Sequence, residues 1–136
     1  MKWGETGLVL VDSSVWIDYL GHSRSKVAQK LEFLIRSRNR VAITGFIFQE
    51  VLQGIRNSRS CQLTQKLLRR FPFLMPTLDT HLRAAEIFHE ISYRGIKPKS
   101  AGTLIAALAI EHRVQLFSLD HDFVLIAKHT SLNLFS

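Results

Sequence analysis

Two short apolar runs in this chain each lead to an aspartate: GLVLV at 7–11 runs into Asp12, and VQLFSL at 114–119 runs into Asp120. The first, continuously apolar, suits a strand buried on both faces of a parallel sheet, and the second, apolar but for Gln115 and Ser118, repeats the theme of a strand leading to an aspartate. Around them the apolar spacing is helical. SSVWIDYLG at 13–21 reads as a helix that Ser13 or Ser14 can cap and Gly21 ends, and residues 25–37 place Val27, Leu31, Leu34 and Ile35 on one face. VAIT at 41–44 is a further strand, and GFIFQEVLQGIR after it spaces Phe46, Val51, Leu52 and Ile55 helically with Glu50 among them. Helices follow over 62–71, stopping before Pro72, over 80–94, where Leu82, Ala85, Ile87, Phe88 and Ile91 form the apolar set, and over 101–113. LMPTL at 74–78 reads as a short edge strand, HDFVLIAKH as a short helix and LNLF as a last strand. Strands alternating with helices predict an α/β fold, a mostly parallel central sheet with helices on both faces. In such sheets polar groups at the carboxyl ends of strands converge on the ligand crevice, which is where Asp12 and Asp120 are expected.

A length of 136 residues is enough for one core, and 46% apolar with 21% charged residues is ordinary globular usage, so one undivided domain over 1–136 is expected. The lone Cys61 excludes an internal disulfide framework and any cysteine-rich zinc module. No apolar stretch approaches a membrane span, and the start of the chain is too briefly apolar for a signal peptide, so no membrane association and a cytoplasmic location are expected. The excess of 18 Lys and Arg over 11 acids, a formal +7, favours a polyanionic partner, although charge alone is often a solvated surface.

The acids sharpen that reading. An aspartate at a strand exit has a plain explanation as a helix cap, for either residue taken singly. Glu50 is harder to dismiss, because it stands among Phe46, Phe48, Val51 and Leu52, where a lone buried carboxylate costs several kcal/mol. A salt bridge to one of the arginines would offset the cost, and so would a shared divalent cation, since carboxylate oxygens suit magnesium or manganese.

Four segments, VLVDSSVWIDYL, TGFIFQEVLQGIR, TLIAALAIEH and LFSLDHDFVLIA, resemble the successive blocks of the PIN-domain family, most nearly its VapC-type toxins. The blocks span nearly the whole chain. The resemblance implies a PIN-like three-layer fold and a Mg2+- or Mn2+-dependent endoribonuclease acting on structured RNA such as transfer RNA. It implies a cognate VapB-type antitoxin and a homodimer, with helices over 14–37 and 45–71 as the contact surfaces. By motif, Asp12, Glu50 and Asp120 match the first, second and last family acids and are the expected catalytic residues and metal ligands. Ser14 matches a supporting hydroxyl, and Asp122 is expected as a helix cap or outer support.

One position departs from the pattern. The family's third acid falls on Gly102, which has no side-chain oxygen and costs roughly 1 kcal/mol of helix propensity against alanine. Gly102 reads either as natural variation or as an alteration that lets a toxic protein be made. Both readings imply a weaker metal site and low or absent activity. The alternative function is a catalytically inactive PIN-fold module that binds RNA or an antitoxin. A phosphoacceptor domain is discounted, because the first strand ends in one acid and the late strand in Asp120 rather than lysine.

The six histidines form no zinc-type pair, and His121, between Asp120 and Asp122, is the one held in reserve. Arg36, Arg38 and Arg40, Arg69 with Arg70, and Lys97 with Lys99 divide evenly between solvated helix ends and contacts to an RNA backbone. Trp16 could stack a base, but packing is the simpler role beside a core strand.

Overall fold

Three short parallel strands organise the computed structural model, which describes residues 7–21, 24–37 and 40–136. They are β1 (Val9–Val11), β2 (Val41–Ala42) and β3 (Gln115–Phe117), and they lie in the order β2-β1-β3. Val9 pairs with Val41 on one side and Gln115 on the other, and Val11 pairs with Phe117. Val9, Leu10 and Val11 are each 0% exposed. Successive strand side chains point to opposite faces, so burial of all three means that both faces of the central strand are covered. This is the physical reason the run is apolar throughout rather than alternating.

Among the described residues seven helices supply the cover: α1 (Ser13–Gly21), α2 (Lys26–Arg36), α3 (Gly45–Gln53), α4 (Ser58–Leu68), α5 (Leu78–Ser92), α6 (Ser100–His112) and α7 (Asp122–His129). Helix α1 packs on α2 and α3, with α4 against α3, while α5, α6 and α7 pack on one another. The expected α/β architecture is the one observed. Four of the helices open on a side-chain cap: Ser25 for α2, Thr44 for α3, Asn57 for α4 and Thr77 for α5. Each satisfies a backbone N–H that the first turn leaves without a partner. Helix α6 is buried on most sides, with Thr103 and Ile105 through Ala109 inside, as its Ala- and Leu-rich composition predicts.

Several expectations are corrected. LMPTL is not a strand. The chain instead makes a single parallel bridge at Ile43 and Phe73, where Ile43 N–H donates to the Pro72 carbonyl and Leu74 N–H to that of Ile43. Past Leu74, Pro76 offers no N–H with which to continue a ladder. LNLF likewise makes one bridge, Leu116 with Leu134, rather than a strand. The buried face of α5 is Thr80, Ala84, Ile87 and Ile91, with Leu82 61% exposed. That of α3 is Ile47 and Val51, whereas Phe46 is 37% exposed. Helix α4 starts four residues earlier than expected, because Asn57 caps it. The packing role expected of Trp16 holds, since it is fully buried against Tyr19 and Phe71.

Candidate active site

The chain leaves β1 at Asp12 and turns at once into α1, whose first amide bonds return to the Asp12 carbonyl. On the neighbouring strand it leaves β3 through Ser118 and Leu119 to Asp120, and then enters α7. Because β1 and β3 are parallel and adjacent, both exits open on the same edge of the sheet. Helix α3 brings Glu50 to that edge. The result is a cleft of about 260 Å³ whose wall includes Asp12, Glu50, Asp120 and Asp122, with Gly102 and Lys99 from the start of α6. Ile17, Ile105, Phe123 and Ile126 supply its apolar lining.

Asp12 is 6% exposed and held firmly. Its Oδ2 accepts from the Ser14 hydroxyl at 2.9 Å and from the Ser118 hydroxyl at 2.7 Å. The two hydroxyls also tie the strand exits together, since Ser14 Oγ accepts from Leu119 N–H and Ser118 Oγ from Asp120 N–H, both at 3.0 Å. Among the described residues nothing donates to Asp12 Oδ1. Glu50 is half-buried and accepts from Ser13 Oγ at 3.1 Å. Asp120 is exposed, and its Oδ1 accepts from Asp122 N–H at 2.9 Å, closing the turn into α7.

The salt bridge considered for Glu50 is not formed. Among the described residues the ion pairs are Arg36 with Glu32 and Arg94 with Glu90, so no carboxylate of the cleft has a basic partner. Uncompensated carboxylates in one apolar-walled cleft repel one another and favour a cation. Yet among the described residues no three of His, Cys, Asp and Glu stand close enough to make a ready-built metal cage. The donor set therefore fits a hard cation of the magnesium type, which commonly keeps several waters and takes only one or two carboxylates. It does not fit zinc or any other closed protein cage.

Gly102 faces this cleft without crowding. A Cβ built there would meet the Phe123 ring at 4.0 Å, ordinary van der Waals contact, so a side chain can start here toward the cleft without a clash.

Ser13, expected only as a helix cap, and Ser118 join the site, and so does Lys99, one of the basic residues weighed as RNA contacts. The hydroxyls carry one legible signal, since each aspartate at a strand exit has a serine within two residues of it, Ser14 after Asp12 and Ser118 before Asp120. The expected basic groups mostly lie elsewhere: Arg36 pairs with Glu32, Arg40 donates to the Gly7 carbonyl, and Arg38 lies outside the described residues. Of the basic residues named above, Lys99 alone lines the cleft. A larger groove of about 490 Å³, lined by Phe46, His81, Phe88 and His89 among others, has no carboxylate in its wall.

The family model for the PIN domain matches residues 9–129. The chain belongs to the PIN-domain family. This PIN domain is 30% identical over 128 residues to ribonuclease VapC11 of Mycobacterium tuberculosis, a match covering 92% of this chain and 96% of that one. Its fold superposes on VapBC2 from Rickettsia felis, solved bound to a DNA fragment from its promoter, with a TM-score of 0.76 at 16% identity over 94% of this chain and 97% of that one. It also superposes on Mycobacterium tuberculosis VapC20, described as a sarcin-ricin loop cleaving toxin, with a TM-score of 0.64 at 17% identity over 92% and 98% of the two chains. Among the described residues, no helix of this PIN domain is long and apolar enough to cross a membrane.

Proposed function

We propose that this PIN domain is a divalent-metal-dependent endoribonuclease of the VapC toxin type, weakened by glycine at 102. The carrying observation is the cleft at the sheet edge, lined by Asp12, Glu50 and Asp120, where among the described residues none of the three has a basic partner and one Asp12 oxygen lacks a donor. Asp12 and Asp120 would hold Mg2+ or Mn2+, with Glu50 beside them as ligand or water-orienting base. A cation so held supplies charge neutralisation at the phosphate and a more acidic water. Ser14 and Ser118 keep the Asp12 carboxylate in one orientation, and the apolar lining raises the strength of every charge contact inside.

The partners proposed are a structured RNA such as transfer RNA, a VapB-type antitoxin and a second copy of the chain. Support for a protein partner comes from the large apolar side chains that α1 to α4 leave uncovered, Ile17, Leu20, Phe33 and Leu63. A second reading, favoured by Gly102, is an inactive PIN-fold module that binds RNA or an antitoxin.

Thermal stability in manganese and cleavage of RNA in magnesium or manganese, compared across three forms, test the proposal. The protein as it stands is expected to gain stability from Mn2+ and to cut RNA weakly. Asp12→Asn should lose both properties, and Gly102→Asp should cut at least tenfold faster, about the effect of one carboxylate at a metal. Absence of Mn2+ stabilisation together with absence of cleavage in every form would favour the binding module. Equal high activity in the unaltered and Gly102→Asp forms would refute the weakening.

A further inference from the structure

Lys99 stands in the wall of the acidic cleft, three residues before Gly102, and among the described residues is the one basic group that lines it. It is exposed, and among the described residues it pairs with none of the four carboxylates around it. Its place in the helix does not explain it either. Lys99 is the N-cap residue of α6 and makes no side-chain cap bond, whereas α2 through α5 each begin on Ser, Thr or Asn with that bond formed. A lysine at an N-cap brings positive charge to the positive end of the helix and leaves an N–H without its usual acceptor. Sequences break a local rule of this kind most often where a site requires it.

The chemistry of the cleft supplies a requirement. A phosphodiester entering an acidic cleft is repelled unless positive charge meets it, and bound cations usually provide that charge. With glycine at 102 the cleft has one carboxylate fewer to hold cations, and one turn away it carries an ammonium instead. Lysine is a flexible point charge suited to a phosphate oxygen.

We propose that Lys99 is a substrate-binding residue of the cleft, its ammonium contacting the RNA phosphate next to the bond to be cut and taking over part of the neutralisation that a fuller acid set leaves to metal. The proposal rests on the ribonuclease reading above. It separates two properties that a purely cation-built site would join, since RNA binding through Lys99 persists without metal, while the same ammonium opposes metal binding.

The test is fluorescence anisotropy of a labelled single-stranded oligoribonucleotide in EDTA, over a series of salt concentrations, with Mn2+ affinity measured separately on the same proteins. Lys99→Met is expected to weaken RNA binding about threefold to tenfold and to reduce the slope of log affinity against log salt by about 0.7, the signature of one lost phosphate contact. Lys99→Arg should restore most of the affinity, and Lys99→Met should bind Mn2+ as tightly as the unaltered chain or more tightly. Lys66→Met, on α4 outside the cleft wall, removes the same charge and should change little. Equal RNA affinity in Lys99→Met and Lys66→Met overturns the proposal and leaves the ribonuclease reading standing. Failure of the unaltered chain to bind the oligoribonucleotide, with or without Mn2+, overturns both.

Discussion

Two carboxylates near the start of the chain show opposite ways of holding a charge. Asp12 is buried against serine hydroxyls and has no counter-ion among the described residues, while Glu32 on α2 is partly exposed and has two partners, Tyr19 Oη at 2.5 Å and Arg36 Nε at 2.7 Å. Burial, together with the bond to Glu32, pushes the Tyr19 hydroxyl up to about 12. Glu32 is held below the usual carboxylate range, first by the Tyr19 hydrogen bond and then by that from Arg36. The signs are opposed. The Tyr19 contribution to stability is complete below the unfolded value of 10.0 and is lost as pH rises through about 12. That of Glu32 is present above the ordinary 4.5 and fades as pH falls through its lowered folded value. Ultraviolet titration of the folded protein should therefore show one late-ionising tyrosine that Tyr19→Phe removes, and an unchanged profile in the variant would refute the assignment. None of this pairing was read from the sequence. Tyr19 and Glu32 are 13 positions apart on different helices, and only the packing of α1 on α2 brings them together.

At the level of elements, boundaries with a chemical marker were legible and those without one were not. Helix α2 begins after Ser25 and ends before Ser37, the two ends expected from its apolar stripe. Helix α4 was misplaced because Asn57 is separated from the first apolar residue of the helix by several polar ones, so the cap preceded any visible periodicity. The final LNLF run has strand-like residues but needs neighbours to become a strand, and it meets β3 at one residue only. Helix α5 misled in another way. Leu82 and Ala85 fit a helical stripe as well as Ala84 does, and apolar character alone cannot say which stripe turns inward. What anchors α5 is its first turn, where Thr77 and Thr80 bond reciprocally and Thr80 Oγ1 also donates to Glu111 on α6 at 2.8 Å. Thr77→Ala is expected to lower stability by about 1 kcal/mol, read as a shift in the urea midpoint at unchanged slope. No shift would mean that Thr80 alone holds the turn.

For the molecule as a whole, the sheet is small and its centre carries much of the fold. Leu10 is 0% exposed on the strand that both neighbours pair with, and Leu10→Ala should cost about 2–5 kcal/mol in urea unfolding. A loss below 1 kcal/mol would show that the surrounding helices close the gap. The overall architecture was legible because burial on two faces writes itself as unbroken apolar runs, and because an acid at each exit marks the same sheet edge. Ser14 beside Asp12 and Lys99 among the basic residues were legible, whereas the bond from Ser118 to Asp12 was not, since it depends on the β3 exit lying beside that of β1. Gly102 links this architecture to descent. It lines the cleft, and a Cβ built there meets only the Phe123 ring, at 4.0 Å, so a side chain can begin at this position without displacing a neighbour. Both aspartate codons lie one base from a glycine codon. On the function proposed above, one point mutation from aspartate at this position would yield the weaker toxin, with selection acting on potency while the folded scaffold stays as it is.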